Sequence, residues 1–203
     1  MSSQRVFASY RLPSLSVATS GDDDQITHLA KAAGQGDRAA LSQFIAATQR
    51  DVWRPVAYLA DPPSADDLTQ ETFLRAIRSL PRFTGRSTAR TWLLSIARRV
   101  VVDQIRHNRS RPRTAYVAEL DSAIRHGHRS SRIENTVEIR MLLDGLEPER
   151  REAMVLTQVL GLSYAEAAEV CGCPIGTIRS RVARARSDLL RAANEDEDAG
   201  SAS

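Results

Sequence analysis

Hydrophobic residues recur at intervals of three and four along most of the chain, which is the spacing of amphipathic helices. Near the C-terminus, Ile178, Val182, Ala185 and Leu189 fall on one face of such a helix. A second hydrophobic face lies between residues 88 and 107, and its members are Trp92, Leu93, Ile96, Ala97, Val100 and Ile105. Aromatic residues make up only 5% of the sequence, as expected for helices with lightly packed cores. We therefore predict an all-α protein.

Glycines, prolines and capping residues divide this pattern into helices. The predicted helices cover residues 25–33, 38–59, 64–80, 88–107, 133–146, 148–160, 163–171 and 174–190. Pro55 lies inside the second helix, and we expect it to kink or break that helix because proline lacks an N–H. Ser64 is the expected N-cap of the third helix. The core-facing residues of that helix are predicted to be Leu68, Phe73, Ile77 and Leu80.

The last two predicted helices have the spacing of a helix-turn-helix. Ser163 and Glu166 match a capping box, and Gly172 and Pro174 supply a short turn between the helices. The outer face of the final helix carries small and basic side chains, and no acid occurs on it before Asp188.

Such a face suits a helix that lies in the major groove of DNA. Small side chains let the backbone approach base edges, while arginines reach phosphates or guanine. The candidate DNA contacts are Thr177, Arg179, Ser180, Arg181, Arg184 and Arg186. We predict a DNA-binding helix-turn-helix, against the alternative of an ordinary helical hairpin whose arginines are merely solvated.

Charge is distributed unevenly along a chain whose net charge is only +3. Between residues 90 and 113 there are seven arginines and one acid, Asp103. Arginines spaced along one amphipathic helix provide a track for phosphates. Within that basic face, Asp103 is either an ion-pair partner or an acceptor of hydrogen bonds from a base.

Other classes of function find little support. Cys171 and Cys173 have no neighbouring histidines, and His126 and His128 have no neighbouring carboxylate cluster, so we expect no metal and no other cofactor. No combination of nucleophile, base and paired carboxylates indicates an enzyme. No apolar segment has the length of a membrane span and no signal peptide is evident, so we expect a cytoplasmic protein with no membrane partner.

The polar segment between Asn108 and Arg132 lacks a long helical pattern, and we interpret it as a flexible linker between two small helical domains. The C-terminal domain contains the helix-turn-helix. The predicted divisions are a disordered tail at 1–21, a first domain at 22–108, a linker at 109–132, a second domain at 133–193 and an acidic tail at 194–203.

Two basic helical modules joined by a polar linker resemble the extracytoplasmic-function (ECF) sigma factors of the sigma-70 family, in particular the actinobacterial sigma factor C type. The resemblance rests on DDLTQETFLRAI (66–77), TWLLSIARRVVVDQIR (91–106) and LGLSYAEAAEVCGCPIGTIRSRVARAR (160–186). It implies an alternative sigma factor that binds core polymerase, recognises −35 and −10 promoter elements and initiates transcription of specific genes. The implied partners are core RNA polymerase, through the β′ coiled coil and the β subunit, and promoter DNA, with an anti-sigma factor as a further candidate.

The resemblance also implies a role for each module. The helix at 64–80 resembles the one that grips the β′ coiled coil. Its implied contacts are Asp67, Gln70, Glu71, Leu74 and Arg75. The helix at 88–107 resembles the element that melts and reads the −10 region, and the helix-turn-helix resembles the −35 reader. The implied −10 contacts are Arg90, Arg98, Asp103 and Arg106.

Two alternatives remain open from the sequence. One is a DNA-binding regulator that acts without joining polymerase, and the other is a helical adaptor that binds only protein. We also expect the free protein to adopt a compact form in which the two domains cover each other's binding faces. The linker is long enough for the domains to touch, and the domains offer opposite charges.

Overall fold

The computed structural model describes residues 20–60, 62–110 and 143–200, and within these ranges the secondary structure is helical, with no strand. The helices are α1 (Ser20–Gly34), α2 (Arg38–Leu59), α3 (Ala65–Ser79), α4 (Ala89–Ser110), α5 (Pro148–Met154), α6 (Tyr164–Cys171) and α7 (Ile175–Gly200). Short 3-10 turns at Pro62–Ser64 and Leu80–Arg82 flank α3, and α5 continues into a π-helical segment, Val155–Val159. The predicted all-α fold with two helical domains is confirmed. Most of the predicted linker, its two histidines, the tail at 1–19 and most of the predicted helix at 133–146 lie outside the described residues.

Several predicted helix ends are confirmed by capping bonds. The Asp37 carboxylate accepts hydrogen bonds from the N–H groups of Ala39 and Ala40, at 2.8 and 3.0 Å. Thr88 Oγ1 accepts one from the N–H of Thr91 at 3.2 Å, at the start of α4. Each bond satisfies an N–H that has no partner within its own helix.

The prediction allowed Pro55 either to kink or to break its helix, and the structure shows that it does not break it. Helix α2 runs without interruption from Arg38 to Leu59 through the buried Pro55. A proline inside a helix costs about 3 kcal/mol. The same helix buries Phe44, Val52 and Val56 in the first core, and this packing offsets the missing hydrogen bond.

The ends of three helices lie beyond the predicted boundaries. Helix α1 begins at Ser20 rather than Gln25, so Ser20 and Gly21 are helical and not part of a disordered tail. Acids in its first turn favour this start because they complement the positive end of the helix dipole. Helix α4 extends through Ser110 into the predicted linker, and α7 extends through Gly200 into the predicted acidic tail. No glycine or proline stands between Gly176 and Gly200 to end α7 earlier.

Two details of helix α3 also differ from the prediction. Ser64 is the residue before the helix but makes no side-chain capping bond, because the preceding 3-10 turn already gives it helical backbone angles. Ile77 is 37% exposed rather than in the core. Thr72 is fully buried instead, and its hydroxyl donates a hydrogen bond to the Leu68 carbonyl at 2.7 Å.

The helix that begins at Pro148 does not remain an α-helix to residue 160 as predicted. Its second half, Val155–Val159, has the wider π-helical turn, in which the Leu160 N–H donates to the Val155 carbonyl at 3.0 Å. This wider turn buries Val155, Leu156 and Val159 together. Gly161 follows with a φ of 73°, which a glycine adopts without strain.

The helices enclose two hydrophobic cores. The first lies among α1 to α4 and centres on Ile26, Phe44 and Leu93, and the second lies among α5, α6, α7 and the π segment and centres on Val155 and Ile178. Each core is the interior of one of the two predicted domains, which are called the N-domain (α1 to α4) and the C-domain (α5 to α7) below.

The two domains pack against each other in this structure. Helix α4 of the N-domain lies against α6 of the C-domain, and α2 lies against the π segment. Leu94 of α4 and Tyr58 of α2 are buried in the C-domain core. The expectation of a compact form agrees with this arrangement.

Candidate nucleic-acid interface

The predicted helix-turn-helix is present between α6 and α7. Both bonds of its capping box form: the Glu166 N–H donates to Ser163 Oγ at 3.2 Å, and the Ser163 N–H donates to Glu166 Oε2 at 2.8 Å. Gly172 ends α6 in the left-handed conformation with a φ of 63°. The Pro174 carbonyl then accepts a hydrogen bond from the Thr177 N–H at 2.9 Å in the first turn of α7. These local bonds set the direction in which α7 leaves the turn.

The buried side of α7 fixes which of its residues face outward. Ile178, Val182 and Ala185 are fully buried in the second core, as predicted, while Leu189 is half-buried. The candidate −35 contacts on the remaining surface are Arg179, Ser180, Arg184 and Arg186, which are exposed, and Thr177 and Arg181, which are half-buried. The structure therefore brings this predicted set together on one accessible helix.

The hydrogen bonds and ion pairs around α7 do not neutralise the positive charge of its exposed arginines. Arg186 donates to the neutral amide oxygen of Gln158 at 3.2 Å. The first acid of α7, Asp188, is engaged by Arg150 and Arg191. It therefore does not neutralise the arginines that precede it.

Cys171 is a packing residue at the end of α6. Its thiol is free and buried, and burial raises its pKa to about 12, so it stays protonated at neutral pH. Cys173 is half-buried. Among the described residues, no group of three or more His, Cys, Asp and Glu side chains is arranged to hold a metal ion.

The candidate polymerase contacts form a continuous surface along α3. Asp67 and Gln70 are exposed, and Leu74 is an exposed hydrophobic residue at 51%. Glu71 and Arg75 lie one turn apart and form a salt bridge of 2.7 Å between Oε1 and Nε. A hydrophobic side chain surrounded by charged groups is a common feature of protein interfaces.

Arg75 also joins α3 to the candidate −10 helix α4. Its Nη1 donates to Asp103 Oδ2 at 2.8 Å. The hydrogen bonds to Asp103 and then to Glu71 raise the pKa of Arg75. Asp103 is therefore an ion-pair partner in this structure, and its other oxygen makes no hydrogen bond to the part of the chain that the structure describes. Arg106, one turn further along α4, is exposed.

Arg90, a candidate −10 contact, lies among three carboxylates instead of on an open surface. It forms salt bridges with Asp22, Asp23 and Asp51 at 3.0, 2.8 and 2.8 Å, and its side chain is 12% exposed. Burial raises the pKa of Asp23 even though Arg90 lowers it. This geometry favours a structural role for Arg90 in tying α1 and α2 to α4.

Arg98, another candidate −10 contact, pairs with the C-domain. Its Nε donates to Glu152 Oε1 of α5 at 2.7 Å, and the two side chains are 29% and 10% exposed. Burial lowers the pKa of Arg98, but the bond and charge of Glu152 outweigh this, and the net pKa is raised. One turn before Arg98, Leu94 is buried in the C-domain core and only 3% exposed.

The contact between the domains is therefore one-sided, and the expectation of mutual covering is wrong in this respect. The C-domain covers the part of α4 that carries Leu94 and Arg98, whereas Arg179 and Arg184 of α7 remain exposed. The C-domain contributes α6 to the contact with α4 and the π segment to the contact with α2.

Sequence reasoning missed Glu152 and Leu94. Glu152 lies 54 residues from Arg98, and nothing in the sequence pairs them. Leu94 did give a signal, because it is a leucine on the basic face of α4, one turn from both Arg90 and Arg98. A large hydrophobic residue outside the core face is a reason to expect a partner there.

Comparison with known proteins gives the family. A sequence model of sigma-70 region 2 matches residues 44–111, and a model of sigma-70 region 4 matches residues 136–189. The first range contains the candidate −10 helix α4, and the second contains all six candidate −35 contacts of α7.

Two similar relatives are the ECF RNA polymerase sigma factor SigC of Mycobacterium tuberculosis and the probable RNA polymerase sigma-C factor of Mycobacterium bovis. The chain is 58% identical to each over 183 residues, which is 90% of this chain and 99% of the relative.

Solved structures show the same fold. The chain matches CnrH, solved in complex with the cytosolic domain of CnrY, with a TM-score of 0.67 and 25% identity over 85% of this chain and 99% of CnrH. It matches the sigma factor RpoE of Bartonella quintana, solved with the anti-sigma factor NepR, with a TM-score of 0.58 and 26% identity over 74% and 94%. The chain therefore belongs to the extracytoplasmic-function sigma factors of the sigma-70 family.

Proposed function

We propose that this alternative sigma factor joins core RNA polymerase through α3, reads the −35 element with α7 and captures the −10 region with α4. It would act in the cytoplasm, where polymerase and promoters are. The observation that carries the proposal is the acid-free, exposed arginine face of α7 on a fully buried helix-turn-helix core.

The −35 interaction is supported by the chemistry of α7. Arg179 and Arg184 are long, charged and exposed, whereas Ser180 between them is small. A guanidinium group can bond to both acceptors of a guanine edge or to a phosphate, and small neighbours let the helix enter the groove.

The −10 interaction needs binding rather than catalysis. Unstacking a base costs a few kcal/mol, and capture of the unstacked base by α4 offsets that cost once polymerase and −35 contacts hold the DNA in place. Sigma factors act by binding, and the proposed mechanism needs no catalytic residue and no cofactor. Asp103 and Arg106 are the contacts of α4 that remain accessible in the compact form. Arg98 becomes accessible only when the domains separate.

Polymerase is proposed to select the open form because only the open form presents the whole of α4. A ligand shifts such an equilibrium by its difference in affinity for the two forms. An anti-sigma factor is a further candidate partner, since CnrH and RpoE were solved with the cytosolic domain of CnrY and with NepR.

Binding to core polymerase tests the proposal. Leu74→Ala removes an exposed hydrophobic side chain from α3, and we expect it to weaken the association by about tenfold because a buried interface leucine contributes about 1.5–3 kcal/mol. Leu190→Ala is the matched control, since Leu190 is also an exposed leucine but lies on α7.

Equal binding of the wild type and both variants would contradict the polymerase surface on α3. If the wild type bound promoter DNA but not polymerase, the chain would be a regulator that acts alone.

A further inference from the structure

Arg75 links the candidate polymerase surface on α3 to the candidate −10 surface on α4. It lies on the polymerase-facing helix α3, yet it bonds Asp103 on the −10 helix α4. We propose that Arg75 is a positioning residue that fixes the Asp103 carboxylate for capture of an unpaired base. The inference rests on the proposed −10 function of α4.

The geometry of the guanidinium group supports this role. Arg75 bonds Glu71 through Nε at 2.7 Å and Asp103 through Nη1 at 2.8 Å. A guanidinium group is planar and rigid, so two simultaneous bonds to different partners fix its orientation. Glu71, one turn earlier on the same helix, thereby holds Arg75 in the position from which it reaches α4.

The remaining oxygen of Asp103 provides the binding chemistry. Arg75 uses Oδ2, and Oδ1 makes no hydrogen bond to any described residue. An ionised carboxylate only accepts hydrogen bonds. Its ligand is therefore a hydrogen-bond donor, and among bases the exocyclic amino groups of adenine, cytosine and guanine are such donors. In a base pair one N–H of that amino group is already bonded to the partner base, whereas an unpaired base presents its whole pairing edge to the carboxylate.

The charge of Arg75 removes an obstacle to this contact. A carboxylate on a DNA-binding surface is repelled by phosphates, and a paired guanidinium group compensates its negative charge. The Asp103 side chain is 54% exposed, so an incoming strand can reach it while the pair persists. Exposed ion pairs contribute little to folding stability, which argues that the bond is not needed to hold α3 against α4.

The test measures binding of an unpaired −10 oligonucleotide to assembled holoenzyme. Core polymerase is saturated with each variant, so that differences in polymerase affinity do not enter. The variants are Arg75→Ala, Asp103→Ala and the double variant, with Arg78→Ala as the matched control because Arg78 is an exposed arginine of the same helix. Arg75→Lys retains the charge but cannot hold both carboxylates in the same fixed geometry.

We expect Arg75→Ala and Asp103→Ala each to weaken oligonucleotide binding by about fivefold, and the double variant to be no weaker than Asp103→Ala, because residues in one network are not additive. Arg75→Lys should bind with intermediate strength, and Arg78→Ala like the wild type. Replacing adenine by purine, which lacks the amino group, at the captured position should affect the wild type but not Asp103→Ala.

Three results would overturn the inference. If Asp103→Ala weakens binding and Arg75→Ala does not, Arg75 has no positioning role, while the −10 function stands. If the two effects multiply in the double variant, Arg75 contacts DNA independently. If Asp103→Ala has no effect, the proposed −10 role of Asp103 fails as well. A thermal melt of each free variant identifies a folding defect. If Arg75→Ala is unstable, Arg75→Lys takes its place in distinguishing a positioning role of Arg75 from a purely structural one.

Discussion

The ion pair between Arg98 and Glu152 is predicted to control the separation of the two domains. The Glu152 side chain is 10% exposed in the compact form, so Arg98→Ala leaves a nearly buried carboxylate without its charged partner and with only the weak thiol donor of Cys171. A buried polar group without a partner costs about 1–3 kcal/mol. Breaking a fully buried ion pair costs more than this. Because the Arg98 side chain is 29% exposed, the lower range applies.

This cost applies only to the compact form, because Glu152 regains water when the domains separate. A free energy of about 1–3 kcal/mol shifts the equilibrium toward the open form by about 5-fold to 150-fold. Leu94→Ala should act in the same direction, because it removes about 2 kcal/mol of hydrophobic burial from the contact.

Small-angle X-ray scattering of the free protein measures the effect as an increase in the radius of gyration. Arg99→Ala is the matched control, since it removes the same charge from the neighbouring exposed position, where the side chain donates a long hydrogen bond of 3.5 Å to Ser95 of its own helix. An unchanged radius for Arg98→Ala, or an equal change for Arg99→Ala, would refute the role of the ion pair.

Four further predictions concern single residues. Arg179→Ala and Arg184→Ala should each weaken −35 binding by about 1–3 kcal/mol in gel-shift titrations. The loss of affinity should depend on the DNA sequence if the arginine contacts a base. It should be the same for all sequences if the arginine contacts a phosphate. Asp103→Ala should leave polymerase binding intact but reduce promoter opening, and a pre-melted promoter should restore part of the activity; normal opening would contradict this. Ser163→Ala should lower the free energy of unfolding by about 1 kcal/mol in urea titrations, because it removes a capping bond. Cys171, whose pKa burial raises to about 12, should react with iodoacetamide at pH 8 only after unfolding, and fast labelling at Cys171 itself in the native Cys173→Ser variant would contradict its burial.

The helix-turn-helix could be predicted from sequence because its determinants are local. The capping box spans four residues, and the left-handed turn at Gly172 follows directly from the properties of glycine. The hydrophobic spacing of α7 then determines which arginines face outward.

Features that depend on distant contacts could not be predicted in this way. Pro55 stays helical because tertiary packing offsets a local cost. Arg90 and Arg98 look alike in sequence, but Asp22, Asp23 and Asp51 surround the first and Glu152 of the other domain binds the second. Whether an arginine is paired within the protein or accessible to DNA depends on which acids the fold brings near it.

The central claim is that this chain directs polymerase to promoters through two separate DNA elements. Selection from a random duplex library by purified core polymerase, with and without the chain, tests this claim most directly. The account predicts that polymerase and chain together enrich two short elements at a fixed spacing, and that neither component alone does so. Enrichment of the same sequence by the chain alone, or of a single element by the mixture, would contradict the account.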